Sequence, residues 1–431
     1  MKGKSGWSYK PYRPYNKPLT GPEIVRIQPE QSSVVFEWLG EEKAKLFVAE
    51  RGSGIWKEFS VRSGVCSFAA EQGKEYEFFL EEKGRRSLIR LVRAGAFPGI
   101  VVDYLHPEDD AYGYSGKYLA TPCIIRTPKG ALLASEDVFA LHHPQCMTKI
   151  FRSEDDGKSW RYVTDLYPCF WANLFVIDDV IYAFAASKDC GDLLIGRSLD
   201  DGFTWETPAV IARGSSFGTV AGFHKSSVPI VKANGRYWCG VEFGCWTEKA
   251  FAPLLASFPE GSDPTDVKNW TLTDFVSHTM LGFTENPCAI EGNVIVLPDG
   301  KVCDLLRQKE NEALLLEASD AESPLSFRSK VKFPFAHTKF YIQKYGQYYY
   351  AVGNEAPGRT VLSLARSKDG LHWEIVRRIL DYSAYPAQET GFQYPYFMIE
   401  QDTLYLFIRT GYNGAHNFHD SNANIFITVK L

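Results

Sequence analysis

The segment Ser153-Glu154-Asp155-Asp156-Gly157-Lys158-Ser159-Trp160 has the composition of a tight turn, and its pattern occurs three times in this 431-residue chain. It returns in Ser198-Leu199-Asp200-Asp201-Gly202-Phe203-Thr204-Trp205, which begins 45 residues later, and in Ser367-Lys368-Asp369-Gly370-Leu371-His372-Trp373. We call these three segments the Asp turns. Repetition with a period of this size indicates a solenoid or a propeller.

Each residue type in an Asp turn has a structural role. The aspartate can accept hydrogen bonds from backbone N–H groups of its own turn, and the glycine supplies the conformation with positive φ. The tryptophan buries a large apolar surface against the neighbouring unit. The third turn is one residue shorter and has His372 where the other two have a hydroxyl group.

The Asp turns resemble the Asp box of the sialidase superfamily, which lies in a hairpin of each β-propeller blade. No run of ten residues has the period of a helix, so we predict an all-β fold. Six units of short apolar strands follow one another over residues 117–431. Three have an Asp turn, two have degraded turns at 266–270 and 319–323, and the last has three strands. We therefore predict a six-bladed propeller closed by an earlier strand, with five or seven blades as alternatives.

The residues before the propeller are predicted to form a small β-sandwich. Residues 1–20 are an extended lead rich in Pro and Tyr, and residues 21–95 contain six or seven short alternating strands. Residues 96–116 are predicted to be a linker, with one strand near 100–102. The sandwich is similar to a fibronectin type III domain through two aromatic residues, Trp38 and Tyr76.

Composition limits the classes of partner. Hydrophobic residues make up 45% and aromatic residues 14% of the chain, which is enough for a packed core and favours strands. The net charge of −5 does not indicate nucleic-acid binding. The sequence has no run of about 18 apolar residues, so we do not expect a membrane helix. We expect neither nucleic acid nor membrane as a partner, and the sequence does not set the oligomeric state.

The nine cysteines are scattered, without a CxxC pair or zinc spacing. An odd, scattered set favours free thiols in a reducing compartment over a disulfide framework. The first twenty residues lack the apolar segment of a secretory signal. We expect a cytoplasmic protein, or a periplasmic or secreted one if a signal segment has been removed.

The Asp turns also orient the ring. They join the third and fourth strands of their units, so the starts of the inner strands and the loops between second and third strands share the opposite face. Polar and aromatic side chains converge there, which predicts the binding site. The expected substrate-binding residues are His142, His143, Trp171, His224, Arg307, His337, Lys339, Arg409, Tyr412, His416, Asn417, His419 and Asp420.

The sialidase resemblance implies a glycoside hydrolase. That superfamily uses a tyrosine nucleophile with a glutamate, an aspartate acid/base, and three arginines that clamp a substrate carboxylate. The matching catalytic candidates here are Asp137, Glu242, Glu291 and Tyr394. The first clamp arginine would fall at Ala120, within Tyr118-Leu119-Ala120-Thr121-Pro122. The expected activity is therefore that of a sialidase-like exo-glycosidase which is not a true sialidase.

Two other hypotheses stay open. A polysaccharide lyase would neutralise a uronate and abstract a proton with a His/Tyr pair. Its candidates are His143, His416, Tyr412 and Arg409. A non-catalytic glycan-binding propeller would stack Trp171 and Trp246 on sugar faces. All three hypotheses have a carbohydrate partner and need no cofactor, although His416, His419 and Asp420 could hold a divalent metal.

Overall fold

The computed structural model describes residues 6–14, 21–215, 220–308, 311–356 and 358–431. These residues form β-strands and one short 3₁₀ helix at Val267–Asn269, so the all-β prediction is confirmed. None of the described residues belongs to a helix that is long and apolar enough to cross a membrane. The nine cysteines are free thiols, seven of them buried.

The extended lead is described only in part. Its residues 6–14 include β1 (Ser8–Tyr9), and its remaining residues lie outside the described part of the chain. Trp7 is fully buried, meets the ring of Trp205 edge-on at 6.3 Å, and donates a hydrogen bond to the Pro168 carbonyl at 2.8 Å. This part of the lead is therefore fixed to the ring of sheets described below.

One antiparallel sheet, which we call the N-terminal sheet, spans residues 23–93. Its strands are β2 (Glu23–Pro29), β3 (Ser33–Glu50), β4 (Lys57–Ala69), β5 (Glu75–Glu82), β6 (Arg85–Arg86) and β7 (Arg90–Arg93). The first half of β3 pairs with β2 and the second half with β5, while β4 runs along both halves. The sheet therefore changes partners along β3, with buried Phe36 and Leu46 on either side of the change.

Six further sheets follow in chain order, after β8 (Ile100–Tyr104). Sheet one has β9 (Tyr118–Arg126), β10 (Leu132–Phe139), β11 (Met147–Ser153) and β12 (Arg161–Leu166), with β1 at its edge. Sheet two has β13 (Phe170–Ile177), β14 (Val180–Ala186), β15 (Leu193–Ser198) and β16 (Ala209–Ala212). Sheet three has β17 (Gly222–His224), β18 (Ile230–Ala233), β19 (Arg236–Cys245), β20 (Ala250–Pro259) and β21 (Thr271–Leu272).

The last three sheets repeat the same four-strand order. Sheet four has β22 (Ile290–Val296), β23 (Val302–Arg307), β24 (Glu312–Ala318) and β25 (Ser326–Lys332). Sheet five has β26 (Tyr341–Tyr345), β27 (Tyr348–Asn354), β28 (Val361–Ser367) and β29 (Glu374–Asp381). Sheet six has β30 (Gly391–Glu400), β31 (Thr403–Gly411) and β32 (Ala423–Lys430), and β8 is its fourth strand.

The sheets close into a ring. The first strand of sheet one contacts the first strands of sheets two and six, and β26 contacts β30 in the same way. Because β8 pairs with β32, an early segment completes the last sheet, as the sequence predicts. Residues 96–116, expected to be a linker, thus contribute a strand to the ring. This closed arrangement of antiparallel sheets is that of a β-propeller.

The N-terminal sheet and the ring share one core. A single cluster of buried side chains includes Phe36 from the N-terminal sheet and Phe151 from sheet one. Polar contacts also cross this junction. Arg26 donates to the Val102 carbonyl at 2.6 Å, and the buried Lys149 ammonium group donates to the Val25 carbonyl at 3.0 Å. The two parts are therefore packed directly against each other.

All three Asp turns join the third and fourth strands of their sheets. Asp155 accepts from the backbone N–H of Ser159 at 2.9 Å and from its hydroxyl at 2.7 Å, and Trp160 is buried against Phe426. A Cβ at Gly157, where φ is 87°, would lie 2.1 Å from the Phe426 ring, so glycine is required there. In the third turn, His372 supplies the side-chain donor that replaces the hydroxyl.

Candidate active site

A cavity of about 430 Å³ lies at the end of the ring where the inner strands of the six sheets begin. Every sheet contributes a side chain to it, from the start of its inner strand or from the loop after its second strand. The lining residues are Ala120, Thr121, Phe139, Leu141, Gln145, Phe170, Trp171, Asp189, His224, Trp246, Lys249, Glu291, Arg307, Arg359, Tyr394, Arg409 and His419.

A larger groove of about 690 Å³ lies on the N-terminal sheet. Two of its exposed lysines are in surface ion pairs, Lys45 with Glu58 and Lys83 with Glu41. Exposed ion pairs of this kind contribute little to binding or stability. The cavity in the ring, which combines aromatic rings with buried charges, is therefore the candidate active site.

Four inner strands begin with the same irregularity. Each has a β-bulge, one extra residue opposite its neighbour, and the first bulged residue has a positive φ. The φ angles are 30° at Thr121, 56° at Trp171, 56° at Glu291 and 49° at Tyr394. A positive φ at a residue other than glycine costs about 1–3 kcal/mol in backbone strain. A bulge also changes the direction in which a side chain leaves its strand. All four side chains line the cavity, so the bulges place them there.

One side of the cavity is cationic. The guanidinium of Arg307 pairs with the Glu291 carboxylate at 2.9 Å. The guanidinium carbons of Arg359 and Arg409 lie 5.8 Å and 5.0 Å from the centre of the Tyr394 ring. Burial, and then the nearby charge of Glu291, raise the pKa of the Tyr394 phenol. Three arginines, a phenol and a carboxylate therefore meet at one place.

The arginines on this side are held by neighbouring groups. Arg409 donates to Ser421 at 3.3 Å and to the His419 carbonyl, and it lies 4.5 Å over the Phe139 ring. Arg359 donates to the Gln393 side chain. Burial lowers the pKa of Arg409 to about 10, so it stays charged at neutral pH. Burial also lowers the pKa of His419 to about 4, so His419 is neutral there.

The other side of the cavity is aromatic. His224 lies 4.6 Å from the Trp171 ring and 5.2 Å from the Trp246 ring, centre to centre. Its Nδ1 atom is 2.8 Å from Glu242, whose other oxygen accepts from the Gly292 N–H at 3.0 Å. Asp189 lines the same side, and burial raises the pKa of its carboxyl group. This side therefore has a stacking surface and a carboxyl group with a raised pKa.

Two of the four catalytic candidates line the cavity, namely Glu291 and Tyr394. Glu242 is fully buried behind His224 and holds that ring in place. Asp137 is also fully buried. It accepts from the Thr148 hydroxyl at 2.5 Å and from the Trp171 N–H at 3.0 Å, and burial raises its pKa to about 7. Asp137 therefore braces the Trp171 bulge from behind the cavity.

Five of the predicted binding residues line the cavity: Trp171, His224, Arg307, Arg409 and His419. The others have different places. His143 is exposed and bonds to the Leu141 carbonyl, and Tyr412 packs among aromatic rings. The residues outside the cavity lining are His142, His143, His337, Lys339, Tyr412, His416, Asn417 and Asp420. Of the four lyase candidates, Arg409 lines the cavity and the rest do not.

The polar loop before β32 largely satisfies its own groups. Asn417 accepts from the N–H groups of His419 and Asp420, and Asp420 in turn accepts from the Asn417 amide and lies 3.1 Å from His419. Over the described residues, no three His, Cys, Asp or Glu side chains are arranged to hold a metal ion. The density of polar residues here reflects local turn bonding.

Sequence reasoning missed Arg359. It lies between β27 and β28, in a loop of the kind that the orientation of the ring assigns to the binding face. Arg359 follows Gly358 within this loop and has a φ of 55°, so the direction of its side chain depends on a turn that the sequence pattern does not reveal.

The sequence over residues 180–408, just over half of the chain, matches the family described as BNR repeat-like domain. None of the curated proteins matches this sequence.

Three solved structures illustrate the fold similarity. A Hadza microbial sialidase, Hz136, has a TM-score of 0.54 at 13% identity, over 95% of this chain and 99% of that one. The Penicillium chrysogenum alpha-L-arabinanase complexed with arabinobiose scores 0.51 at 14% identity, over 78% and 98%. The NanB sialidase from Streptococcus pneumoniae scores 0.51 at 10% identity, over 94% and 92%. At these identities the comparison concerns the fold alone.

Proposed function

Because the chain belongs to the family of BNR repeat-like domains, we propose that it is a sialidase-like glycoside hydrolase whose substrate is a sugar bearing a carboxylate. One observation carries the proposal: Arg307, Arg359 and Arg409 line one cavity together with Tyr394 and Glu291. Arginine binds a carboxylate through two parallel, charge-assisted hydrogen bonds. The solved structures with sialidase and arabinanase activities in their names favour a glycan substrate.

The charge of the cavity favours an anionic ligand. Four cationic side chains line it, the three arginines and Lys249, against the two carboxyl groups of Asp189 and Glu291. One arginine is already paired with Glu291, which leaves Arg359 and Arg409 for the substrate. Because Arg409 is buried, Arg359 is half-buried and both are held by hydrogen bonds, they meet the ligand with little loss of side-chain entropy.

The proposed reaction proceeds through Tyr394. Its phenol oxygen attacks the anomeric carbon while Glu291 takes the phenol proton, and the bond to the leaving-group oxygen breaks. A neutral phenol is the better nucleophile here because a carboxylate would be repelled by the substrate anion. Water then attacks the same carbon, and Glu291 returns the proton to Tyr394. The step needs no group beyond the side chains that line the cavity.

We assign the proton donor to Asp189. A general acid must hold its proton near the working pH, and burial raises the pKa of this carboxyl group. Asp189 lines the aromatic side of the cavity, across from the arginines. It would protonate the leaving oxygen and then deprotonate the incoming water. Asp137, the earlier candidate, lies behind the Trp171 bulge.

Ala120 distinguishes this cavity from the superfamily pattern. It lines the cavity at the start of sheet one, where the resemblance would put an arginine. Arg409 reaches the same cavity from sheet six. The cavity therefore still has three arginines, as the superfamily pattern does, but one of them comes from a different sheet. We propose that the substrate is an acidic sugar bound in a shifted orientation, and not the usual sialoside.

We further propose that sheets one to six are the six blades of the propeller. The Asp turns are then Asp boxes on the face opposite the cavity. The region of residues 21–95, which contains the N-terminal sheet, is proposed to be an accessory domain of fibronectin type III character. Its direct packing on sheet one favours a role in stabilising the ring.

The test is hydrolysis of fluorogenic aryl glycosides, in which acidic sugars are compared with neutral sugars of the same linkage. We expect release of the aryl group from acidic glycosides, with neutral ones at background. Tyr394→Phe is the matched control, because it removes one oxygen from the cavity and leaves the arginines in place. Equal turnover of neutral and acidic glycosides would refute the carboxylate assignment.

A further inference from the structure

Two lysines, Lys225 and Lys339, are buried beneath the cavity, with 0% and 1% of their surface exposed. They come from sheets three and five, the two sheets outside the set of four with cavity-lining bulges. Among the described residues, neither ammonium group has a salt bridge to a carboxylate. Burial lowers the pKa of Lys339 to about 7 and also lowers that of Lys225.

Each lysine is hydrogen-bonded to the bulge of a neighbouring sheet. The Nζ atom of Lys225 donates to the Trp171 carbonyl at 2.7 Å and to the Asn173 side chain at 2.6 Å. The Nζ atom of Lys339 donates to the Pro395 carbonyl at 2.7 Å. Trp171 and Pro395 are both bulged residues, and Pro395 follows Tyr394 directly. The same device therefore occurs twice, once in each half of the ring.

We propose that Lys339 is a positioning residue for Tyr394 and Lys225 a positioning residue for Trp171. Each ammonium group holds a carbonyl of the bulge whose positive φ aims the side chain into the cavity. Lys339 thereby fixes the phenol, and Lys225 fixes the aromatic wall. The part of this proposal that concerns turnover rests on the proposed function, whereas the part that concerns the backbone does not.

Stability alone does not account for these lysines. A buried charge without an ionic partner is costly, and hydrogen bonds to neutral carbonyl groups offset only part of that cost. The positive φ of the bulged residues adds strain. Both costs occur where side chains enter the cavity, which is typical of residues that position the side chains of a binding site.

The experiment compares Lys339→Met and Lys225→Met with the wild type by crystallography, thermal unfolding and steady-state kinetics. In Lys339→Met we expect the Tyr394 backbone to leave its positive φ, with a Tm close to that of the wild type, because removal of the buried charge offsets loss of the hydrogen bond to the Pro395 carbonyl. Because a misplacement of about 1 Å at a reacting group costs about 100-fold in rate, we expect kcat to fall by about 100-fold and KM to change little. In Lys225→Met we expect Trp171 to move instead, with a raised KM and an almost unchanged kcat.

The backbone and Tm readouts do not depend on the reaction. If Tyr394 keeps its position in crystals of Lys339→Met, the positioning role is refuted, whatever the activity. If neither Lys339→Met nor Lys339→Gln folds, Lys339 is a structural residue and the proposal also fails. Full activity of Tyr394→Phe would refute the proposed function while leaving the lysine result to stand on its own readouts.

Discussion

The Nε atom of Arg307 lies 2.9 Å from the carboxylate of Glu291, and both side chains line the cavity. Glu291 is the first bulged residue of its strand and has a φ of 56°, while Arg307 is the last residue of the neighbouring strand β23. The pair connects the two parts of the proposed chemistry. In the proposed reaction, the arginine belongs to the cationic side that would receive the substrate, and the carboxylate would accept the proton of Tyr394.

Glu291→Gln should lower kcat while leaving the fold intact. Glutamine keeps the volume but cannot take the Tyr394 proton, and loss of a general base lowers the rate by about 10²–10⁴-fold. Hydrolysis of an acidic aryl glycoside measures kcat, and thermal unfolding checks folding. Glu285→Gln is the matched control, because that carboxylate is exposed and does not line the cavity. A kcat within threefold of the wild type in Glu291→Gln would contradict the assignment.

Arg409→Met should weaken binding of acidic substrates specifically. Hydrogen bonds to charged groups contribute about 1.5–3 kcal/mol, which corresponds to roughly a 10- to 100-fold loss in kcat/KM. Lys249→Met removes a positive charge from an exposed part of the same lining and should have a much smaller effect. Equal losses in the two variants would mean that the cavity attracts anions only through its overall charge.

Asp189→Asn should change the pH profile and the response to the leaving group. The acid must be protonated to act, so kcat/KM of the wild type falls as pH rises through its pKa. Because burial raises that pKa, the fall occurs above the usual carboxyl range of about 4. In Asp189→Asn, kcat/KM should no longer show this fall with rising pH.

Leaving groups provide the control for Asp189. Aryl groups that depart without protonation should react with Asp189→Asn at nearly the rate of the wild type, and sugar leaving groups should react far more slowly. If the variant is slowed equally on both kinds of substrate, Asp189 is not the proton donor.

Asp155→Asn should destabilise the ring without affecting turnover. The carboxylate of Asp155 accepts three hydrogen bonds inside its turn, and an amide can replace only part of them. A loss of about 1–2 kcal/mol in the free energy of unfolding is expected. Asp156→Asn is the matched control, because its exposed carboxylate pairs with Arg126 at the surface. Reduced kcat in Asp155→Asn at a temperature where it is fully folded would contradict a purely structural role.

Much of the fold was predictable from the sequence because it rests on local signals. The Asp turns have a composition that specifies their hydrogen bonds, and alternation of apolar residues specifies the strands. The missing fourth strand of sheet six required an early segment, and β8 fills that place. The continuous core between the N-terminal sheet and sheet one depends on tertiary packing, which no local pattern encodes.

The site was predictable where a residue lies on an inner strand. Glu291, Tyr394 and His224 follow from the orientation of the ring. Asp137 does not line the cavity, and its carboxylate accepts instead from the Trp171 N–H, 34 residues away in the chain. Arg359 was missed because its direction depends on a loop, and the polar residues around Asn417 bond to one another. These outcomes depend on which partners meet in space.

The four bulges have a consequence for how such a cavity changes over evolutionary time. At Thr121, Trp171, Glu291 and Tyr394, the direction of the side chain is set by an extra backbone residue and not by the side chain itself. A point substitution at one of them exchanges the chemical group without shifting the register of any sheet. The ring therefore offers four interchangeable positions, at which new activities can be tried without first rebuilding the scaffold.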